Sequence, residues 1–495
     1  MQPKQQAGDD STARLVVKNT FYLTASQALT IPIAILVNAT LARFLGAVDF
    51  GVLYLASTIC AFAFLVVNWG HDSALPALIA RDRALAGVFL GSSFAWRMVS
   101  AVLVYLLLAL GCHLFASGRD LQWALFLTFV VSWLASLISG CKDTIRGFER
   151  TDIQAYAHVG QQFLTALVVV PVLFLGGGMR LSLFVQIPVG VLVLVLIWRS
   201  MRKVGINGLS VRRDEIKSLI VMGTPFVFLN LAMSLQPNVD ALFLARLAPS
   251  EVMGWFAVSR RLIGVLLFPA SALIGALYPT LCRLYAEDKE AFARVSRGSL
   301  SSIALLAVPC ALGCGLYPEV GVALFSRQSF REAEDNLRIL SVFLFLLYFS
   351  MPLGTCILAA GKNRAASAVQ ALCVVVSLIL DPLLVPMFQK RFQNGGLGLC
   401  VAAVISEAMV VAFWIALTPR GVFDRALVKS LLLAMVSGVS MAVVAVLLRP
   451  VLSPYLAAPI ATCVYAAGLW LTGAIDKTQI EKMKATIGRR FARAS

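Results

Sequence analysis

Two adjacent guanidinium groups, Arg260 and Arg261, interrupt the apolar stretch GWFAVSRRLIGVLLFPASALIGALYP (254–279). The stretch is long enough to cross a bilayer, where a cation at the centre costs ~2.5–3.5 kcal/mol on insertion scales. Guanidinium suits one task especially well: its planar fork bonds phosphate oxygens in pairs. With Trp255 at the interface, Arg260 lies about 7–8 Å inside the membrane and Arg261 about 9 Å, at the helical rise per residue. The competing reading is structural: Asp240 on the preceding segment neutralises one arginine and the other snorkels to the interface. Adjacent helical residues differ by about 100°, so the two cannot face one direction equally well.

Other polar residues interrupt apolar runs. Asp240 lies about 9 Å deep, counted back from Arg246, with Gln236, Pro237 and Asn238 just below it. Arg97 lies near one end of its segment, positioned either to receive an anion or to snorkel. Glu407 lies about 15 Å deep and Asp381 about 10 Å. Together with Asp240 they are the ion-coupling candidates, carboxyls that alternate between a bound H+ or Na+ and an empty state. A hydrogen-bonded packing role is the simpler alternative. Asn38, Asn230 and Asn238 have the hydrogen-bonding groups that sugar hydroxyls need, although asparagine also joins membrane helices to one another.

These residues sit in a chain of 495 residues, 59% hydrophobic and 14% charged, with a formal charge of +17. Average soluble domains are about 25% charged, so the expected class is an all-α polytopic membrane protein. Fourteen spans are predicted: 19–42, 50–69, 88–112, 121–140, 155–176, 181–198, 219–245, 252–278, 299–325, 338–360, 365–388, 397–417, 430–448 and 456–474. With those spans, 29 Lys and Arg fall on one side and 10 on the other, which places both termini in the cytoplasm by the positive-inside bias. The charge thus reads as topology, with no nucleic acid partner. The first segment is expected to remain in place, since Asp9 and Asp10 precede it and no cleavage pattern follows. The ten cysteines mostly lie in apolar runs, and the three histidines form no metal motif, so no metal or other cofactor is expected. GTCILAAGKN (354–363) has the wrong spacing for a phosphate loop, and the short loops leave no room for a catalytic domain.

An internal repeat is visible. LARFLGAVDFG (41–51) and LARLAPSEVMG (244–254) share Leu, Ala, Arg and the final Gly at an offset of 203, which also aligns Pro76 with Pro279. A unit of six helices, an even number, keeps both copies in the same orientation, related by an axis along the membrane normal.

Four segments carry a family resemblance: LARFLGAVDFGVLYLA (41–56), IRGFERTDIQAYAHV (145–159), LYPEVGVALFSRQSFREAEDNLRILSV (316–342) and LILDPLLVPMFQKRFQNGGLGLCVAAVISE (378–407). Together they resemble the Wzx-type oligosaccharide flippases of the multidrug/oligosaccharidyl-lipid/polysaccharide (MATE-like) exporter superfamily. Asp381, followed by Pro382, departs from that pattern, where Asn is usual; it adds an ionisable group or relocates a helix break. The resemblance implies two six-helix lobes in a V plus two extra C-terminal helices. Its bounds are an N-lobe at 1–198, a basic linker at 199–218, a C-lobe at 219–417, the extra pair at 418–474 and a basic cytoplasmic tail at 475–495.

The resemblance also implies a bacterial inner-membrane protein whose substrate is an oligosaccharide linked by pyrophosphate to a polyprenol, handled among membrane lipids and beside a polysaccharide polymerase. Arg97, Arg260 and Arg261 are then the candidates for the pyrophosphate, and Asn38, Asn230, Gln236 and Asn238 for the sugar. Two rivals are weighed. A cationic-drug exporter of the same superfamily would want acids and aromatics without spare arginines. A membrane glycosyltransferase or polymerase would need a large loop domain.

Overall fold

The computed structural model describes residues 3–114, 118–206, 208–326 and 328–473; within these, the side chains of 3–21, 23–24, 229, 232–237, 276 and 279 lie outside the description. The predicted basic tail and Gln236 therefore lie outside the described residues. The described residues are helical, without strands. The helices are α1 (Pro3–Asn68), α2 (His71–Arg81), α3 (Ala86–Leu114), α4 (Arg119–Gly147), α5 (Thr151–Phe174), α6 (Met179–Phe184), α7 (Gln186–Arg202), α8 (Arg213–Leu247) and α9 (Ser250–Leu266). They continue as α10 (Phe268–Glu287), α11 (Lys289–Leu316), α12 (Pro318–Val322), α13 (Ala333–Ala359), α14 (Asn363–Phe392), α15 (Gly396–Leu417), α16 (Arg425–Leu448) and α17 (Pro454–Leu471).

Eleven stretches among the described residues are long and apolar enough to cross a membrane, or up to twelve if the bent pair α9–α10 is one span. The chain is thus a multi-pass membrane protein. One of the eleven, Ala25–Arg81, has 57 residues, about 86 Å of helix against a hydrocarbon core of about 30 Å. It is interrupted at Gly46, whose φ of 73° belongs to the left-handed region that side chains disfavour. The sequence pattern placed a turn there, between 42 and 50. The predicted span 252–278 is bent by 42° between α9 and α10. Pro269, in the first turn of α10, has no N–H to donate back to α9. By contrast α14 runs unbroken through Pro382 and Pro386, so Asp381–Pro382 relocates no helix break.

The chain divides into two compact units. The first comprises Met1–Ala257, Gln328–Phe330 and Gln389–Gly396. In it α1 packs on α4 and α5, α4 on α2 and α7, and α8 on α1, α2 and α3. Its core includes Leu75, Ile79, Phe89, Leu90, Ile145 and Met201. The second unit comprises Val258–Arg327, Arg331–Phe388 and Leu397–Ser495. There α11 packs on α13 and α16, and α16 on α17. The C-terminal pair is fastened to α11 and its exit: Tyr317 donates to the Ala445 carbonyl at 2.8 Å and Tyr465 to that of Leu305 at 3.1 Å.

The repeated motifs meet inside the first unit. A Cβ on Gly51 would stand 1.9 Å from the Ser250 carbonyl oxygen, and one on Gly254 would stand 2.1 Å from that of Ala47. At the offset of 203, Ala47 corresponds to Ser250 and Gly51 to Gly254. The contact is therefore reciprocal: each glycine receives the backbone that corresponds to its partner's. Self-complementary contact of this kind is what a two-fold relation produces. Glycine is required at both positions because only a missing Cβ lets the backbones approach so closely.

Candidate functional site

The second unit builds a site around Arg260. Its helix, α9, is fixed on both sides of the arginine. Before it, the buried Ser259 hydroxyl donates to the Ala333 carbonyl at 3.0 Å. After it, Tyr348 donates to the Leu266 carbonyl in the last turn of α9, where helical donors run out. Arg260 is half-buried, and its guanidinium lies over the Phe343 ring, 5.4 Å from the centroid. Among the described residues no hydrogen bond or ion pair engages that guanidinium. Glu407, on α15, is 9% exposed. The Ser350 hydroxyl of α13 and the Arg260 guanidinium both act electrostatically on its carboxylate. Its Oε1 has no hydrogen-bond partner among the described residues.

Arg260 and Glu407 are about 150 residues apart in the sequence, and the fold places the carboxylate within the field of the guanidinium. Phe343, Ser350 and Tyr348 escaped sequence reasoning, since one phenylalanine or serine in an apolar helix carries no signal of its own. Arg261 is half-buried beside Arg260. Asp381 is fully buried and Asp240 is 6% exposed, whereas Asn230 and Asn238 are partly exposed. Asn38 spends an amide hydrogen within its own helix, donating to the Ala34 carbonyl at 2.8 Å.

Arg97 lies in a different setting, in the first unit. It is fully buried, so the snorkelling reading is overturned. Its Nη1 donates to the Ser136 carbonyl, and Asp143 and Asp72 lie within its field. Ser136 Oγ in turn donates to Asn68 at 2.5 Å, and His71 Nδ1 shares a hydrogen bond with Ser93 at 3.0 Å. Arg146 bridges Asp143 at 3.4 Å and donates to the Asp72 carbonyl. The reason for the inward turn is the path of α4: it continues to Gly147, beyond the predicted end at 140, and carries Asp143 alongside Arg97. Asp143 and Arg146, three apart on a helix, were the available signal, but both fell in what the hydropathy pattern assigned to a loop.

An apolar cavity of about 470 Å³ opens in the second unit, lined by Val308, Leu312, Val342, Phe345, Met435 and Val439. Arg260 is not among its lining residues, which are apolar apart from Ser341. Among the described residues no cluster of three or more His, Cys, Asp or Glu has metal-binding geometry.

With the fold and this geometry established, the comparisons are direct. The lipid II flippase MurJ, in an inward closed conformation, superposes with a TM-score of 0.72 at 11% identity, covering 92% of this chain and 99% of that one. A multidrug resistance MATE family transporter of the MOP superfamily, inward-facing, gives 0.61 at 16% identity, covering 79% and 93%. The Vibrio cholerae MATE transporter VcmN gives 0.57 at 14% identity, covering 82% and 96%. Identities this low establish a shared fold. No curated protein matches the sequence. The model of the polysaccharide biosynthesis protein family matches residues 16–285, more than half of the sequence, and the chain belongs to that family.

Proposed function

We propose that this protein is a flippase that carries a polyprenyl-pyrophosphate-linked oligosaccharide from the cytoplasmic to the periplasmic leaflet of a bacterial inner membrane. Each sugar hydroxyl loses about 4–8 kcal/mol on unpartnered transfer to hydrocarbon, so unaided flipping is negligible and a hydrated path is needed. Alternating access by two lobes, bounded at 1–198 and 219–417, provides such a path, while the lipid tail stays in the bilayer. The family, and a fold shared with a lipid II flippase, support this reading.

The observation that carries it is Arg260, a cation in an apolar helix, half-buried, stacked on Phe343 and engaged by no hydrogen bond or ion pair among the described residues. A guanidinium with its donors unspent at that depth is fitted to an anionic headgroup. Arg261 is the adjacent candidate for further headgroup contact, and Asn230 and Asn238 are the candidates for sugar contact. Arg97 is the less accessible candidate: it is fully buried, with Asp143 and Asp72 in its field.

The test is the accessibility of lipid-linked oligosaccharide on the outer leaflet of cells. Arg260→Ala is expected to lower it at least tenfold with normal protein abundance, and Arg260→Lys by less, because the charge remains while the fork is lost. Normal flipping by Arg260→Ala overturns the assignment. Drug resistance conferred without any change in surface polysaccharide overturns the function.

A further inference from the structure

At the end of α7 the first unit forms a cavity of about 450 Å³. Its lining changes character along the helix. Leu194 and Val195 come first, Trp198 follows one turn on, and Arg199 and Arg202 stand in the last turn. Leu194, Trp198 and Arg202 are spaced by four, as are Val195 and Arg199, so they form adjoining rows on one face of the helix. From Leu194 to Arg202 the axial rise is about 12 Å. The stretch Met179–Arg202 is long and apolar enough to cross a membrane. The two arginines therefore stand at its boundary with water, and the apolar pair stands inside.

The other walls are held in place. Phe94 of α3 is one, and Leu209, in the linker after α7, is another. The residues on both sides of Leu209 are anchored on α3. A Cβ on Gly87 would stand 2.5 Å from the Gly208 carbonyl oxygen, and one on Gly91 would stand 2.4 Å from that of Ser210. The linker thus lies directly against α3 where side chains are missing, and the Ser210 N–H donates to the Gly87 carbonyl at 3.4 Å. Ser92 then bonds both backbone groups of Arg212, accepting from its N–H at 3.2 Å and donating to its carbonyl at 3.3 Å. Among the described residues no carboxylate lines the cavity, and no hydrogen bond or ion pair engages the side chains of Trp198, Arg199 or Arg202.

We infer that this cavity binds one anionic phospholipid from the leaflet in which α7 ends. Its gradient is that of the ligand. Acyl carbons lie along Leu194, Val195 and Phe94. The Trp198 indole N–H meets the glycerol esters, at the level where tryptophan is enriched in membranes. Arg199 and Arg202 share the phosphate, whose oxygens their planar forks bond in pairs. Basic pockets between helices at the membrane surface take anionic head groups. A zwitterionic lipid would bring an ammonium group toward the same two cations, so the site selects net negative charge. A free phosphate would leave the apolar half of the cavity unfilled. The site lies in the first unit and is independent of the reading of Arg260.

The experiment uses the full-length protein in an uncharged detergent, titrated with phosphatidylglycerol, with bound lipid counted by native mass spectrometry. Wild type is expected to hold one molecule tightly. Arg199→Gln/Arg202→Gln is expected to bind it about thirtyfold more weakly, the effect of two basic contacts at a membrane surface. Arg213→Gln/Lys217→Gln removes the same charge from exposed positions outside the cavity, and is expected to weaken binding by less than about threefold, since exposed charges at a distance are screened. Phosphatidylethanolamine is expected to bind wild type about fivefold more weakly, or worse.

Equal losses in the two double variants would mean attraction to the basic linker as a whole, and overturn the site. Equal binding of the two lipids overturns the anionic class. Displacement of the bound lipid by excess inorganic phosphate makes the ligand a free anion and overturns the lipid. If Arg199→Gln/Arg202→Gln does not fold, Leu209→Asp decides: it sets a carboxylate in the cavity and keeps both arginines, and unchanged phosphatidylglycerol binding overturns the site.

Discussion

Arg97 and Arg260 are chemically identical, and both interrupt apolar helices, yet the protein uses them in opposite ways. Arg97 is wholly enclosed in the first unit, bonded to the Ser136 carbonyl, with Asp72 and Asp143 in its field. Arg260, in the second unit, is half-buried, covered on one side by Phe343, and has Glu407 near it without an ion pair. A fully buried charge, even with Nε and Nη2 unbonded among the described residues as in Arg97, is closed to anything arriving from outside. A partly solvated charge such as Arg260 is open to it. What separates the two cases is the surroundings of each guanidinium.

The contrast is open to direct attack. Arg97→Ala has the largest expected effect on stability: removing one member of a buried charge cluster leaves the others uncompensated, at about 3–5 kcal/mol. Arg260→Ala should cost less, because its aromatic contact is worth about 0.5–2 kcal/mol and no ion pair among the described residues is lost. Thermal unfolding of the purified variants ranks them, and an Arg97→Ala protein as stable as wild type would end the comparison.

A second probe asks whether the first unit is as tightly packed away from its charges. Gly51→Ala and Gly254→Ala each push a methyl group into a facing carbonyl oxygen, at 1.9 and 2.1 Å. Overpacking of this kind costs about 1–3 kcal/mol, reduced by the gain of about 1 kcal/mol in helix propensity. Because the contact is reciprocal, the two substitutions should cost alike, and the double variant should cost less than their sum. Additive losses in thermal unfolding would mean that the two glycines do not share one contact.

The smallest effect is expected at Arg83, whose pair with Glu149 is 3.4 Å long and more than half exposed on both sides. Arg83→Ala should shift stability by less than about 0.5 kcal/mol. A larger shift in the same unfolding assay would show that exposure is a poor guide to what these arginines do.

The helical ladder was legible because apolar runs of about twenty residues have few alternatives in a bilayer. Gly46 and the bend at Pro269 are local, set by one residue's backbone freedom or missing N–H. The site was legible in part. Arg260 and Glu407 stand out as ionisable groups in apolar surroundings, and that cost is visible residue by residue. Their partners were not visible, because Ser350 and Phe343 have ordinary roles in any helix. His71, Asp72 and Asp143 were passed over because they lie beyond the hydropathy-based ends of their spans.

By itself, the sequence determined that this chain lives in a membrane, that it is helical, and that one motif recurs at an offset of 203, since these follow from local hydropathy and from residue identity. Only the tertiary structure decided which arginine is enclosed and which is open. That depends on which carbonyls and carboxylates arrive from other helices, and no periodicity along one chain encodes the identity of a neighbour many helices away. The same holds for the repeat: the offset gave the correspondence of Gly51 with Gly254, and the fold turned it into a contact.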